Sequence, residues 1–240
     1  MSMNTVMRIT AERALTVPRV IKIDPGESVV VEAREEGAGR GVPFVEEVRL
    51  PMETAETKNW YEATRRYGPY NYHPERCEDY NLETGGKTDL GEGLVAPFAG
   101  IVLMAGDLGG RTGKVVQLLG LWPDRSMCVW AGWHLQHVYP VSGQVVSVGE
   151  PIGTVGDADG FYAGSHLHTQ VCVIDGAGIP TPGTFASNSR YRWRCPSRWF
   201  VEMGVDPELM RRCTEWDSTK RAEAKSTETA HDRNARMRWY

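Results

Sequence analysis

Between residue 73 and about residue 176, apolar positions come in short runs cut by Gly, Pro and Asp: LVAPFAGIVLMAG, GKVVQLLG, SMCVWAGWHL, GQVVSVGEPIGTVG and SHLHTQVCVI. Runs of this length, rich in Val and bounded by turn residues, predict short strands at regular spacing. No helical period of useful length interrupts them. The expected fold is mostly β, an antiparallel β-sandwich or partly open barrel.

The flanks carry other patterns. Residues 1–55 hold the strand-like runs VIKI and SVVVEA around the turn signal DPGE, and VPFVEEVRLP predicts a further strand ending at Pro51. This segment is expected to be a small β-rich extension that packs or docks. Residues 56–72, ETKNWYEATRRYGPYNY, predict a linker or short helix. Residues 177–240 open on a Pro-, Ser-, Arg- and Trp-rich loop. DPELMRRCTEWDSTKRAEAK then predicts a helix, with Asp206 as N-cap and Pro207 in the first turn, followed by a polar tail. The organisation expected is thus 1–55, 56–72, a central domain over 73–176, and 177–240.

Composition narrows the function classes. A net charge of −4 on 240 residues asks for neither a nucleic acid nor a membrane surface. No run approaches the roughly 18–20 apolar residues of a membrane helix. The first twenty residues lack the apolar stretch of a secretory signal, so synthesis in the cytoplasm is expected, with any exit by another route. The five cysteines form no CxxC pair, which points to buried thiols over a thiolate metal site.

The chemical signal is histidine. Of six in the chain, five fall between residues 73 and 168. His166 and His168 alternate in GSHLHTQV; on a strand both imidazoles project to one face, roughly 7 Å apart. That spacing suits one ring on a metal and the other beside it. His134 ends an apolar run in AGWHL, and His73 precedes Asp79 in NYHPERCEDYN. Neutral imidazole and carboxylate are standard zinc donors, and a catalytic zinc has three protein ligands and an open water position. His137 is expected to be structural or at the rim, and His231 to have no role. Glu78 competes with Asp79 as donor but on a strand would point to the opposite face. Gln170 shares the face of His168 and is expected to support it.

Three stretches, HPERCEDYNLETGGKTDLGEGLVAPFAGIV, VWAGWHLQHVYPVSGQVVSVGEPIGTVG and GSHLHTQV, resemble in order and spacing the motifs of the lysostaphin/LytM-type zinc metallo-endopeptidases. The resemblance covers roughly residues 70–176. It implies a LytM-like core, with His73, Asp79 and His168 as zinc ligands. His134 and His166 are then the two catalytic histidines, one as general base and the other stabilising the oxyanion. The implied reaction is hydrolysis of peptide cross-links in bacterial peptidoglycan. The family places its Asp four residues after the first His, whereas Asp79 is six after His73. That departure keeps open a catalytically inactive LytM-like scaffold or activator. Lacking a secretory signal, the chain is expected to reach the cell wall as a phage lysin or virion-associated hydrolase, its flanks attaching to virion or tail proteins.

Overall fold

The structure is a computed structural model that describes residues 43–62, 76–82, 86–174, 178–184, 186, 188 and 190–214. His73, residues 1–42 and the tail beyond residue 214 lie outside the described residues.

In chain order the strands are β1 (Trp60–Glu62), β2 (Cys77–Leu82), β3 (Gly93–Val95), β4 (Gly100–Asp107), β5 (Lys114–Leu121), β6 (Met127–Leu135), β7 (His137–Val138), β8 (Val145–Val146), β9 (Pro151–Thr154), β10 (Leu167–Ile174) and β11 (Arg192–Arg194). Helices α1 (Pro196–Glu202) and α2 (Pro207–Thr214) follow. Eight strands form one antiparallel sheet in the order β1-β2-β10-β6-β5-β4-β8, with β11 joined to β10; β3, β9 and β7 form a second, smaller sheet. The large sheet ends at β1 and β8, so the fold is mostly antiparallel β and not a closed barrel.

Two local expectations differ from the outcome. Among the described residues VPFVEEVRLP forms no strand beyond the isolated bridge of Phe44 to Leu121, because Val45 and Leu50 turn into the core and Pro51 cannot donate to a ladder. Trp60–Glu62, in the segment expected to be a linker or short helix, is an edge strand paired with β2. Its anchor is Trp60, fully buried, with its indole N–H on Thr54 Oγ1 at 3.1 Å.

Side-chain alternation divides the large sheet into two working faces. One face sends Tyr80, Val102, Val116, Leu118, Trp130, Leu167 and Val171 into the main core, where Leu94 and Ile152 of the small sheet meet Trp199, Phe200 and Met210 of the helices. The opposite face carries Trp133, Ala131 and Val115 in a separate cluster. Glu78 ties the helices to the sheet. Its carboxylate accepts the Ser197 N–H at 2.8 Å and the hydroxyls of Ser197 and Tyr80, each at 2.7 Å. Satisfied in this way, a carboxylate can stay buried at 3% exposure.

Candidate active site

β2, β6 and β10 lie side by side, and their ladder sets the site. His168 pairs with Asp79 on one side and with Trp133 on the other. On the face away from the core, His168 Nδ1 and Asp79 Oδ1 are hydrogen bonded at 2.9 Å, and the Trp133 indole stacks on the His168 ring at 4.7 Å between centroids. Glu78, one residue from Asp79, points into the core onto Ser197. Gln170 shares the His168 face, but its amide is spent on the Thr184 carbonyl at 2.9 Å and the Ala186 N–H at 3.0 Å. It therefore holds Thr184 and Ala186 against the sheet and does not support the imidazole.

His134 reaches the same place by a break in the ladder. The register of β5 against β6 shifts between Lys114 and Val116, so β6 carries extra length opposite Val115. A bulge of this kind re-aims side chains. His134 takes a left-handed backbone, φ 67°, while its neighbour Trp133 faces the site from regular strand. The Thr112 carbonyl holds the bulge by accepting the His134 backbone N–H at 3.2 Å and meeting ring Nδ1 at 3.1 Å. With Nδ1 donating there, Nε2 is the nitrogen left for proton transfer.

His166 comes from the segment just before β10. Its N–H donates to the Gly156 carbonyl at 3.1 Å, and its Nδ1 lies 3.3 Å from the Gly164 carbonyl. A side chain at Gly156 would collide with the His134 carbonyl oxygen and the Gln136 nitrogen, so glycine there lets the two histidine segments close up. The His134 ring then lies 4.7 Å from that of His166 and 5.6 Å from that of His168. Burial, with those two imidazoles beside it, holds His134 well below the usual histidine pKa, so its ring is neutral at pH 7.

Asp79, His134, His166 and His168 are thus brought together. His137, on β7, is exposed and paired only into the small sheet. Among the described residues no group of three His, Cys, Asp or Glu side chains could hold a metal ion. Asp79 and His168 supply two donors of the types that zinc takes. A three-ligand site needs one more from outside the described residues, the part that the sequence motif assigns to His73.

Sequence reasoning missed Tyr162 and Asp89. The Tyr162 ring lies 4.5 Å from that of His134 and 5.0 Å from that of His166. The available signal was its place in GFYAGSHLH, an aromatic residue in a Gly-rich loop four residues before His166. Burial raises its phenol pKa against the opposing pull of the Arg111 hydrogen bond and charge, so the hydroxyl stays protonated. Asp89 is buried and accepts a hydrogen bond from the Ser165 hydroxyl, next to His166. Burial lifts its pKa to about 6. Nothing in DLGEG marks a buried acid.

Residues 85–179 match the family model described as Peptidase family M23, a stretch that holds His134, His166 and His168 and begins after Asp79. Among curated proteins, none matches the sequence. The antimicrobial peptidase lysostaphin from Staphylococcus simulans is similar in structure at 21% identity and a TM-score of 0.42, covering 61% of this chain and 51% of that one. The chain thus spans about half the length of lysostaphin. The lysostaphin catalytic domain is similar at 20% identity and a TM-score of 0.44, covering 64% of this chain and 99% of that one. A zinc-containing peptidase from Vibrio cholerae is similar at 20% identity and a TM-score of 0.38, covering 56% of this chain and 41% of that one. The stretch that carries the three site histidines is thus similar to peptidase family M23, the kind that the sequence motifs resemble.

Proposed function

We propose that this chain is a zinc-dependent endopeptidase that hydrolyses peptide cross-links of bacterial peptidoglycan. The observation that carries the reading is the closure of His134 and His166, rings 4.7 Å apart, over the hydrogen-bonded pair Asp79–His168. His73, Asp79 and His168 are the residues proposed to hold zinc. Bound there, the metal supplies polarisation of the scissile carbonyl and a water whose pKa falls toward ~7.

The chain's own residues do the rest. His134 is neutral and held by the Thr112 carbonyl, so its Nε2 accepts a proton without rotating the ring. His166 meets the Gly164 carbonyl through Nδ1, which leaves its Nε2 for proton transfer. One takes the proton of the attacking water, and the other donates to the oxygen on which charge develops. Trp133 fixes the plane of the His168 ring by stacking on it. The setting at the cell wall, by host lysis or from a virion, belongs to the same proposal and rests on the composition of the flanks.

Turbidity clearing of purified cell walls tests the reading. Wild type should clear them, and His134→Ala should be slower by about 10²–10⁴-fold, the usual worth of a positioned acid or base. Equal clearing by both proteins would remove His134 from the mechanism. A second reading, the inactive scaffold, is favoured by one observation: the Asp79–His168 hydrogen bond also serves as a structural clamp between β2 and β10. A folded protein that clears no wall and binds no zinc would support it.

A further inference from the structure

His134 and His166 are held in different ways. The His134 ring is buried and fixed by the Thr112 carbonyl. The His166 ring is half-buried, and its bond from Nδ1 to the Gly164 carbonyl is long at 3.3 Å. The place of that ring therefore depends on its backbone. The backbone is set one residue earlier, at Ser165, which is wholly buried. The Ser165 N–H donates to the Gly86 carbonyl at 3.1 Å, and the Ser165 carbonyl accepts the Asn81 side-chain amide at 2.8 Å. The Ser165 hydroxyl donates to Asp89 Oδ1. The segment that supplies Gly86 and Asp89 is itself docked. Gly91 donates to the Val155 carbonyl and Val155 to the Glu92 carbonyl, each at 2.9 Å, and Lys87 pairs with Asp157 at 2.6 Å.

A neutral acceptor would satisfy a serine hydroxyl at lower cost than a buried acid. Asp89 is 1% exposed, and its Oδ2 is buried with no hydrogen-bond partner among the described residues. A carboxylate left half satisfied in the interior is destabilising, so its presence calls for a role beyond packing. We propose that Asp89 is a positioning residue for His166, acting through the Ser165 hydroxyl. With that hydroxyl held, Ser165 is fixed by its N–H, its carbonyl and its side chain together, and the next residue aims its imidazole at the His134 ring 4.7 Å away. Side chains that meet a reacting group need their supports locked in this way. Asp89 itself touches no reacting atom. The inference rests on the peptidase reading and deepens it.

The test uses the zinc-loaded full chain and initial rates of wall clearing at several wall concentrations. Ser165→Ala and Asp89→Leu, which break the bond from either side, should each lower apparent kcat by about 10–100-fold, the effect of a small misplacement of a reacting group. Apparent KM and bound zinc should not change. Asp89→Asn keeps an oxygen for the hydroxyl and should stay near wild type. Placed in a His166→Ala background, Ser165→Ala and Asp89→Leu should cost nothing further. A loss that persists in that background, a loss that follows bound zinc, or no loss overturns the assignment while leaving the peptidase reading intact. If neither single variant folds, the bond is structural and the assignment falls. If wild type clears no wall, the peptidase reading fails, and histidine-ring NMR decides the positioning. A His166 ring ordered in wild type and averaged over rotamers in Ser165→Ala, with His134 unchanged, supports it; identical His166 signals in both overturn it.

Discussion

His134 occupies a backbone conformation that costs a non-glycine residue roughly 1–2 kcal/mol, and it is held there from both its N–H and its ring by one carbonyl. Such strain, kept by surrounding structure, is common at reacting groups. His166→Ala should slow wall hydrolysis about as strongly as His134→Ala, while His137→Ala, on the exposed β7, should leave the clearing rate unchanged. A measured loss in His137→Ala comparable to the other two would contradict this placement. Asp89 gives a separate, titrating prediction. Its folded pKa of about 6 stands above the ordinary 3.8, so between those values the folded chain keeps a proton that the unfolded chain has released. Its contribution therefore falls as pH rises from about 4 to 6 and is level above that. Relative to Asp89→Asn, wild type should lose on the order of 3 kcal/mol across that window. Urea denaturation of both proteins at pH 4 and pH 7 checks it; parallel pH profiles would refute it. At this scale the sequence was legible where chemistry follows period. His166, His168 and the opposed Glu78 and Asp79 follow from alternation. The bulge at His134, the role of Tyr162 and the burial of Asp89 depend on which strands become neighbours, and no local pattern encodes that.

β2 is the element on which site and core meet. Its outer-face Asp79 bonds His168, and its inner-face Glu78 is buried under the start of α1 with four groups on its carboxylate: the N–H and hydroxyl of Ser197, the Tyr80 hydroxyl and the Cys195 thiol. A slip of one residue would exchange the two faces, sending the site carboxylate into the core. Glu78→Ala should therefore cost about 2–4 kcal/mol, since it strands buried donors, and should lower the urea midpoint. A midpoint within error of wild type would show that the clamp contributes nothing. The strand runs of β4, β5, β6 and β10 were readable from length and Val content. The α2 start was readable too: Asp206 Oδ1 accepts the Glu208 N–H at 2.9 Å. Helix α1 was not, because its seven residues give too short a period, and its stability comes from Trp199 and Phe200 in the core. Pairing was equally hidden: nothing local says that β10 lies between β2 and β6.

For the whole molecule, the large sheet solves a problem of distance along the chain. Asp79, His134 and His168 lie far apart in sequence, yet the order β2-β10-β6 sets them on three adjacent strands with their side chains on the face turned from the core. The second sheet and the two helices bury the other face, which leaves the site face to carry polar groups. Function thus rests on whether these side chains, with a third donor, bind one metal ion. Metal analysis of the purified full chain, after zinc loading and exhaustive dialysis, tests that most directly. The account predicts about one zinc per chain, lost in His168→Ala and in Asp79→Ala without loss of the folded β spectrum. A well-folded wild type that retains no zinc, or a His168→Ala protein that retains all of it, would contradict the account.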